Sequence, residues 1–312
     1  MGRKPVKADR MTVAPHAPLL CIGSVLWDVI GRAPKPMHAG ADVPGKITRL
    51  PGGVAMNIAM ALARHGVTPT LLSAIGRDTE GEELIAACAQ LGMITDHIHR
   101  PEGLPTDRYM AVEDNEGLIA AIADAGTLEA VGARILDPVT DGPLGGPAAP
   151  FRGVVALDGN LTEALLAQIA TSPAFAEADL RVAPASPGKA LRLRPFLAHP
   201  CATLYLNLEE AGLLCDSRFP HAEEAALALV ARGLSRVLVT DGANKAAEAS
   251  AEGLRALAPP QVRIARVTGA GDTFMASHIA AELAGFPRAE AFVSALKAAA
   301  HYVSGEIDPC FS

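Results

Sequence analysis

The sequence predicts an α/β fold, with a mostly parallel central sheet flanked by helices and a small second sheet beside it. Three observations carry this expectation. Short apolar runs alternate with helix-patterned segments through most of the 312 residues, the rhythm of repeated βαβ units. Glycines punctuate the junctions, as at Gly52-Gly53 before a helix pattern and at Gly66 and Gly92 after one. One stretch, PTDRYMAVEDNEGLIAAIADAG, breaks the rhythm and reads as two strands joined by a turn at Asp114-Asn115-Glu116-Gly117.

The elements follow in order. LLCIGSVLWDVIG reads as a first strand ending near Asp28, with Trp27 in the core. PGGVAMNIAMALARHG is an Ala/Met/Leu-rich helix behind a glycine pair, and TPTLLSAIG is a strand. RDTEGEELIAACAQLG is a helix with acids in its first turn. The Pro/Gly-rich stretch from Pro34 to Gly45 is expected to join the hairpin in the small sheet. RGVVALDGNLTEALLAQIA then gives strand, loop and helix, with Thr162 as the helix cap. LRVAPASPGKALRLRPFLA and ATLYLNLEEAGLL repeat the theme, and AALALVARGLSRVLVTDGANK reads as helix, strand and glycine-containing loop. Two helices close the chain, one opened by VTGAGDTF and one spanning RAEAFVSALKAAAHYVSG. DGPLGGPAAPFRG (141–153) is a surface loop, so residues 18–312 form one domain behind a basic tail, 1–17, in which Met11 is an alternative start.

Composition narrows the function. Apolar residues make up 50% and charged residues 20%, enough for a buried core and contrary to disorder. No apolar run approaches the roughly 18–20 residues of a membrane span, and MGRKPVKADR lacks the apolar core of a signal peptide, so a cytoplasmic protein is expected. A net charge of −7 without a Lys/Arg block leaves no footprint for a nucleic-acid polymer. Five scattered cysteines (Cys21, Cys88, Cys201, Cys215, Cys310) with no C-x-x-C pair read as reduced thiols. His97 and His99 have H-x-H spacing but no third ligand, so no metal centre is expected there.

The chemistry concentrates in RVTGAGDTFMASHIA. Gly269, Ala270 and Gly271 allow a tight turn and close approach to a ligand. Asp272 follows at a helix N-terminus, where free N–H groups favour anions. A carboxylate beside an anion cradle suits phosphate chemistry with a base at hand. Ligands of open parallel sheets gather at strand C-termini. The polar residues expected there are Asp28, Asn57, Asp158 with Asn160, Asn207 with Glu210, Thr240 and Gly242, a set suited to a polyol and a nucleotide. No G-x-x-x-x-G-K-[ST] occurs, and no G-x-G-x-x-G follows the first strand, so neither common nucleotide-binding fold is supported.

These residues resemble the ribokinase (PfkB) family of carbohydrate kinases over roughly residues 18–308. The motifs are GGVAMNIAMALARHG, IGRDTEGEEL, NLEEAGLL, VTDG and VTGAGDTF. The resemblance implies a ribokinase-like fold with a small β lid, segments about 32–50 and 104–124, often a dimerisation surface. It implies ATP and Mg2+ as cofactors and a small-molecule sugar or nucleoside as the partner. Asp272 would be the general base, with Gly269, Ala270 and Gly271 as the anion hole. Asn207 and Glu210 would organise magnesium, Thr240 and Gly242 would line the nucleotide site, and Asp28, Gly52, Gly53 and Asn57 would hold sugar hydroxyls. Asp158 and Asn160 divide between substrate contact and loop cap. The helix N-terminus is expected to lower the pKa of Asp272, giving a weak base that suffices when the proton leaves late.

LDGNLTEALL, VAPASPGKALRL (with Ser186 and Lys189) and EDNEGLIAAIADAG resemble the pseudouridine-kinase branch. Other sugar or nucleoside kinases and a non-catalytic sugar-binding regulator stay open. Two departures stand out. Arg266 occupies a position where many relatives carry an acid that helps hold potassium, so weak or absent potassium dependence is expected. Lys245 stands where a nucleotide-loop glycine is common, and either reaches phosphates or faces water.

Overall fold

The computed structural model describes residues 18–306 apart from Ala39 and Glu116. The expected N-terminal tail and Cys310 lie outside the described residues. The chain opens with β1 (Leu19–Ile22), β2 (Leu26–Arg32) and β3 (Lys46–Gly52), then α1 (Val54–Arg64), β4 (Thr70–Leu72) and α2 (Thr79–Gln90). The hairpin β5 (Arg108–Asp114) and β6 (Gly117–Asp124) follows, with the short helices α3 (Gly126–Val131) and α4 (Asp137–Thr140). The βα rhythm resumes with β7 (Val154–Asp158), α5 (Glu163–Thr171), β8 (Asp179–Ala183), β9 (Thr203–Asn207), α6 (Leu208–Cys215), α7 (Ala222–Ala231) and β10 (Arg236–Thr240). A second hairpin, β11 (Ala246–Ser250) and β12 (Gly253–Leu257), precedes α8 (Ala270–Leu283) and α9 (Arg288–Ser304).

Eight strands form the large sheet in the order β12-β11-β10-β9-β8-β7-β1-β4, parallel from β4 to β10 and antiparallel at the β11–β12 edge. Its parallel strands are buried on both faces, as strands between helix layers are, while the edge strand β12 is largely exposed. Leu19 and Cys21 of β1 face the cluster containing α1, α8 and α9, while Leu20 and Ile22 face the one containing α5, α6 and α7. Thr162 Oγ1 accepts from Leu165 N at 3.2 Å, the cap the sequence predicts, and Asp78 caps α2 through Gly81 N at 2.8 Å. Residues Thr273 to Ala281 of α8 are all buried, the signature of a central helix. Beneath it, Glu282 bridges Arg181 and Arg236 at 2.6 and 2.7 Å, tying the end of α8 to β8 and β10.

Four elements depart from the expectation. LLCIGSVLWDVIG is two strands, because the chain breaks at Gly23, where a side chain would collide with Asp158. This break sends β2 into the separate sheet, of order β3-β2-β5-β6. Pro34 to Gly45 is the irregular connection from β2 to β3, since Pro34, Pro36 and Pro44 have no N–H to donate to a ladder. Residues Pro187–Phe196 form 3-10 turns in place of an α-helix, with prolines at both ends of the run. The β11–β12 hairpin was unexpected, because AAEAS and GLRAL carry no β-branched residue and no clear period of two.

Candidate active site

Strand β1 ends at Ile22, just before Gly23, and β7, β9 and β10 end at Asp158, Asn207 and Thr240. The first turn of α8 brings Asp272 within electrostatic reach of Asp158 and Glu210 at this edge. Gly269 caps α8 in a left-handed conformation, φ 89°, which favours glycine. The amides of Ala270, Gly271 and Asp272 precede the first intrahelical bond, which runs from Thr273 N to Gly269 O. Ala270 N–H is taken by Val267 O at 3.0 Å. The expected anion hole therefore offers Gly271 and Asp272 N–H, and Ala270 contributes the turn.

Asp272 sits half-buried at this helix start, and Asn57 of α1 donates through Nδ2 to its Oδ2 at 3.0 Å. The expectation of a lowered pKa fails. Burial, with the charges of Asp158, Asp28 and Glu210 adding to it, pushes the Asp272 carboxyl up to about 7 against the opposing Asn57 hydrogen bond. Desolvation and neighbouring acids outweigh the helix dipole, whose effect is confined to the first turn. Asp28, expected at a strand end, lies inside β2, because the strand break falls at Gly23, and burial pushes it up to about 6. It packs on Gly52 so closely that a Cβ there would collide with its carboxylate, and a side chain on Gly53 would strike Ser24 O. The glycine pair thus admits the backbone beside Asp28 and Ser24.

Asp158 is fully buried and accepts from Ser24 N at 2.8 Å, Ser24 Oγ at 2.5 Å, Asn160 N at 2.7 Å and Asn160 Nδ2 at 2.9 Å. It is a loop anchor and leaves no open face for a ligand. Asn160 is partly exposed, and its Oδ1 accepts from Lys189 Nζ at 2.5 Å. Ser24, absent from the sequence reading, ties three segments together, since its Oγ also accepts from Val54 N at 3.0 Å. A polar residue just past a buried strand was the available signal. Tyr302, which reaches Thr268 O, gave no signal in the sequence.

Asn207 and Glu210 serve α6 first. Asn207 Oδ1 accepts from Glu210 N, and Glu210 Oε2 accepts from Asn207 N, both at 2.8 Å, a reciprocal capping box. Burial pushes Glu210 up to about 7. Among the described residues no group of three His, Cys, Asp or Glu could hold a metal. That donor set fits a cation such as magnesium that keeps most of its water and phosphate ligands, with Glu210 as the carboxylate at hand. Thr240 stands beside Asn207 in register, Gly242 has φ 55°, and Lys245 is exposed before β11. Among the described residues no hydrogen bond or ion pair joins Gly242 or Lys245 to Asp272. An open cleft of about 470 Å³ lies elsewhere, at the β4 edge between His97, His99, Arg77 and Arg134. It holds none of the expected site residues.

A small separate sheet, a buried central helix and a carboxylate at the N-terminal turn of that helix are thus present together. The sequence signature of the pfkB family carbohydrate kinases matches residues 17–306. The chain belongs to that family. This pfkB kinase is 31% identical over 277 residues to the pseudouridine kinase of Escherichia coli (strain K12), covering 87% of this chain and 86% of that protein. An uncharacterized sugar kinase of the same organism is 29% identical over 271 residues, 85% of this chain and 72% of that one. In fold it matches a ribokinase from Thermotoga maritima with a TM-score of 0.76 at 20% identity, over 92% of this chain and 93% of that one. The fold is ribokinase-like, and the protein is a pfkB-type sugar or nucleoside kinase. No helix among the described residues is long and apolar enough to cross a membrane.

Proposed function

We propose that this kinase transfers a phosphoryl group from ATP to the 5′-hydroxyl of pseudouridine, giving pseudouridine 5′-phosphate. The observation that carries the reading is the 31% identity to a pseudouridine kinase over 87% of the chain. The base that the reaction needs is supported by Asp272, held by Asn57 at the start of α8.

In this reading Asp272 accepts the hydroxyl proton as the substrate oxygen bonds to the γ-phosphorus and the bond to ADP breaks. The transition state is loose, so the chain's task is positioning and charge stabilisation. The free amides of Gly271 and Asp272 face the transferring phosphoryl group at the α8 N-terminus. Asp28, Asn57 and Asn160 hold ribosyl hydroxyls, with Gly52 and Gly53 admitting the sugar to the backbone. Lys189, fixed on Asn160, lies on the substrate side and is suited to a carbonyl of the base. Thr240, Gly242 and Lys245 take the nucleotide, and Glu210 with Asn207 orders the magnesium shell that offsets phosphate charge.

The small sheet acts as a lid and as a homodimer surface. Its β6 strand is exposed along its whole length, with Leu118 60% and Ile122 62% accessible and Ile47 of β3 76% accessible. Such an apolar edge invites pairing with a second copy. Sedimentation of Leu118→Asp/Ile122→Asp should give a monomer where the native chain gives a dimer. A ribose, fructose or other nucleoside kinase is the second reading, favoured by the similarity to an uncharacterized sugar kinase. Mass spectrometry after incubation with ATP and equal pseudouridine, uridine, adenosine, ribose and fructose decides between them. Pseudouridine phosphate should dominate, and a phosphorylated free sugar as the main product would overturn the substrate.

A further inference from the structure

The turn that leads into α8 is held mainly by the far end of α9. Ala265 N and Arg266 N both donate to Val303 O, at 2.9 and 3.2 Å. The Arg266 side chain donates from Nε to Tyr302 O at 2.9 Å, and its guanidinium carbon lies 4.1 Å from the centre of the Tyr302 ring. Tyr302 in turn donates its hydroxyl to Thr268 O at 3.0 Å. A side chain at Gly269 would meet that same hydroxyl at 2.5 Å.

Each contact has a physical reason. A cation is favoured at the C-terminus of a helix, where carbonyls lack intrahelical partners, and Tyr302 lies in the last turn of α9. A guanidinium stacked on an aromatic face adds a cation–π attraction. Yet Arg266 Nη2 is buried with no hydrogen-bond partner. An orphaned donor costs stability, and such exceptions in native structures call for a functional explanation.

That explanation lies in one peptide unit. Thr268 C=O and Gly269 N–H belong to the same planar trans peptide, so they point to opposite sides. The Tyr302 hydroxyl pins the carbonyl toward α9, which directs the Gly269 amide away from α9 and toward the open start of α8. We propose that Tyr302 and Arg266 are positioning residues for phosphoryl transfer: Tyr302 sets the Thr268–Gly269 peptide, and Arg266 sets the Tyr302 ring. The anion hole then gains a third donor, Gly269 N–H, in place of the occupied Ala270 amide. The inference rests on the kinase reading of the α8 N-terminus.

Tyr302→Phe is the decisive variant, because it keeps the ring and the Arg266 stack and removes only the donor to Thr268 O. Arg266→Ala removes the stack. Binding of ADP, with and without aluminium fluoride as a mimic of the transferring phosphoryl group, separates nucleotide affinity from the anion hole. In Tyr302→Phe the ADP affinity and the substrate KM should stay at the native values. The gain from fluoride should shrink and kcat should fall, both by about three- to tenfold, the scale of one hydrogen bond. Arg266→Ala should do the same or more. An unchanged fluoride gain and kcat in folded Tyr302→Phe would overturn the inference, as would a native protein that gains nothing from fluoride. A native protein that binds ADP with fluoride yet phosphorylates no sugar or nucleoside overturns the kinase reading instead.

Discussion

Asn57 Nδ2 donates to Asp272 Oδ2 across 3.0 Å, joining two glycine motifs that lie 215 residues apart in the chain. A hydrogen bond to the ionised form favours it, so this contact opposes the burial that pushes Asp272 up to about 7. The base must be ionised to accept a proton, so activity should be lost as pH falls through that value. In the native enzyme kcat/KM should show an acid limb near 7. Asn57→Ala removes the stabilising donor and should move that limb to higher pH by about 0.5–1 unit. A pH–rate profile with an unshifted limb would show that Asn57 acts on the substrate alone.

Asp272 is also a cost to the fold. Its folded pKa lies above the unfolded value of 3.8, so the ionised form is disfavoured in the native state. The penalty is absent below about pH 4, grows between about 4 and 7, and is constant above. Asp272→Asn should therefore cut turnover by ~10²–10⁴-fold while stabilising the protein at pH 8 by about 1–3 kcal/mol. Urea unfolding at pH 4 and pH 8 checks this, and an equal gain at both would contradict the cause assigned here.

Asp158 should behave in the opposite way. It accepts from two donors of Ser24 and two of Asn160 with no exposure to solvent. Asp158→Ala leaves those donors unsatisfied in a buried site, and chemical denaturation should show a loss of about 2–4 kcal/mol. A loss of activity without a loss of stability would return Asp158 to the substrate.

The order of strands and helices was legible because βα units carry their signals locally, in glycine stops, caps and apolar runs. Thr162 and Gly66 show this, each acting where its position in the chain predicts. The placement of Asp272 at a helix start and of Asn57 on the helix behind the glycine pair was legible for the same reason, whereas Asp28, expected at a strand end, lies inside β2. What the chain order hid was contact between distant segments. The break at Gly23 depends on Asp158 lying against it, and the clamp on Thr268 depends on Tyr302, 34 residues further on. The N-x-x-E pair carried two signals at once, a helix capping box and a family motif, and the geometry satisfies the first directly. The pKa of Asp272 was misjudged because helix position is written locally, whereas the burial that dominates it, and the surrounding acids of β2, β7 and α6, come from distant segments.

Arg266 bears on ion dependence. Its guanidinium occupies the ground between α9 and the turn before α8, stacked on Tyr302. We propose that a fixed cation there takes the place of a mobile one. Rates measured in potassium and in sodium at equal ionic strength should coincide, and a several-fold activation by potassium would contradict this.

The most direct test of the function is a coupled ADP-release assay with ATP and magnesium, comparing pseudouridine with uridine for the native enzyme and for Asp272→Ala. The proposed function predicts kcat/KM for pseudouridine far above that for uridine, and its near-complete loss in the folded variant. Equal rates on the two nucleosides would contradict the substrate, and substantial turnover by Asp272→Ala would contradict the base.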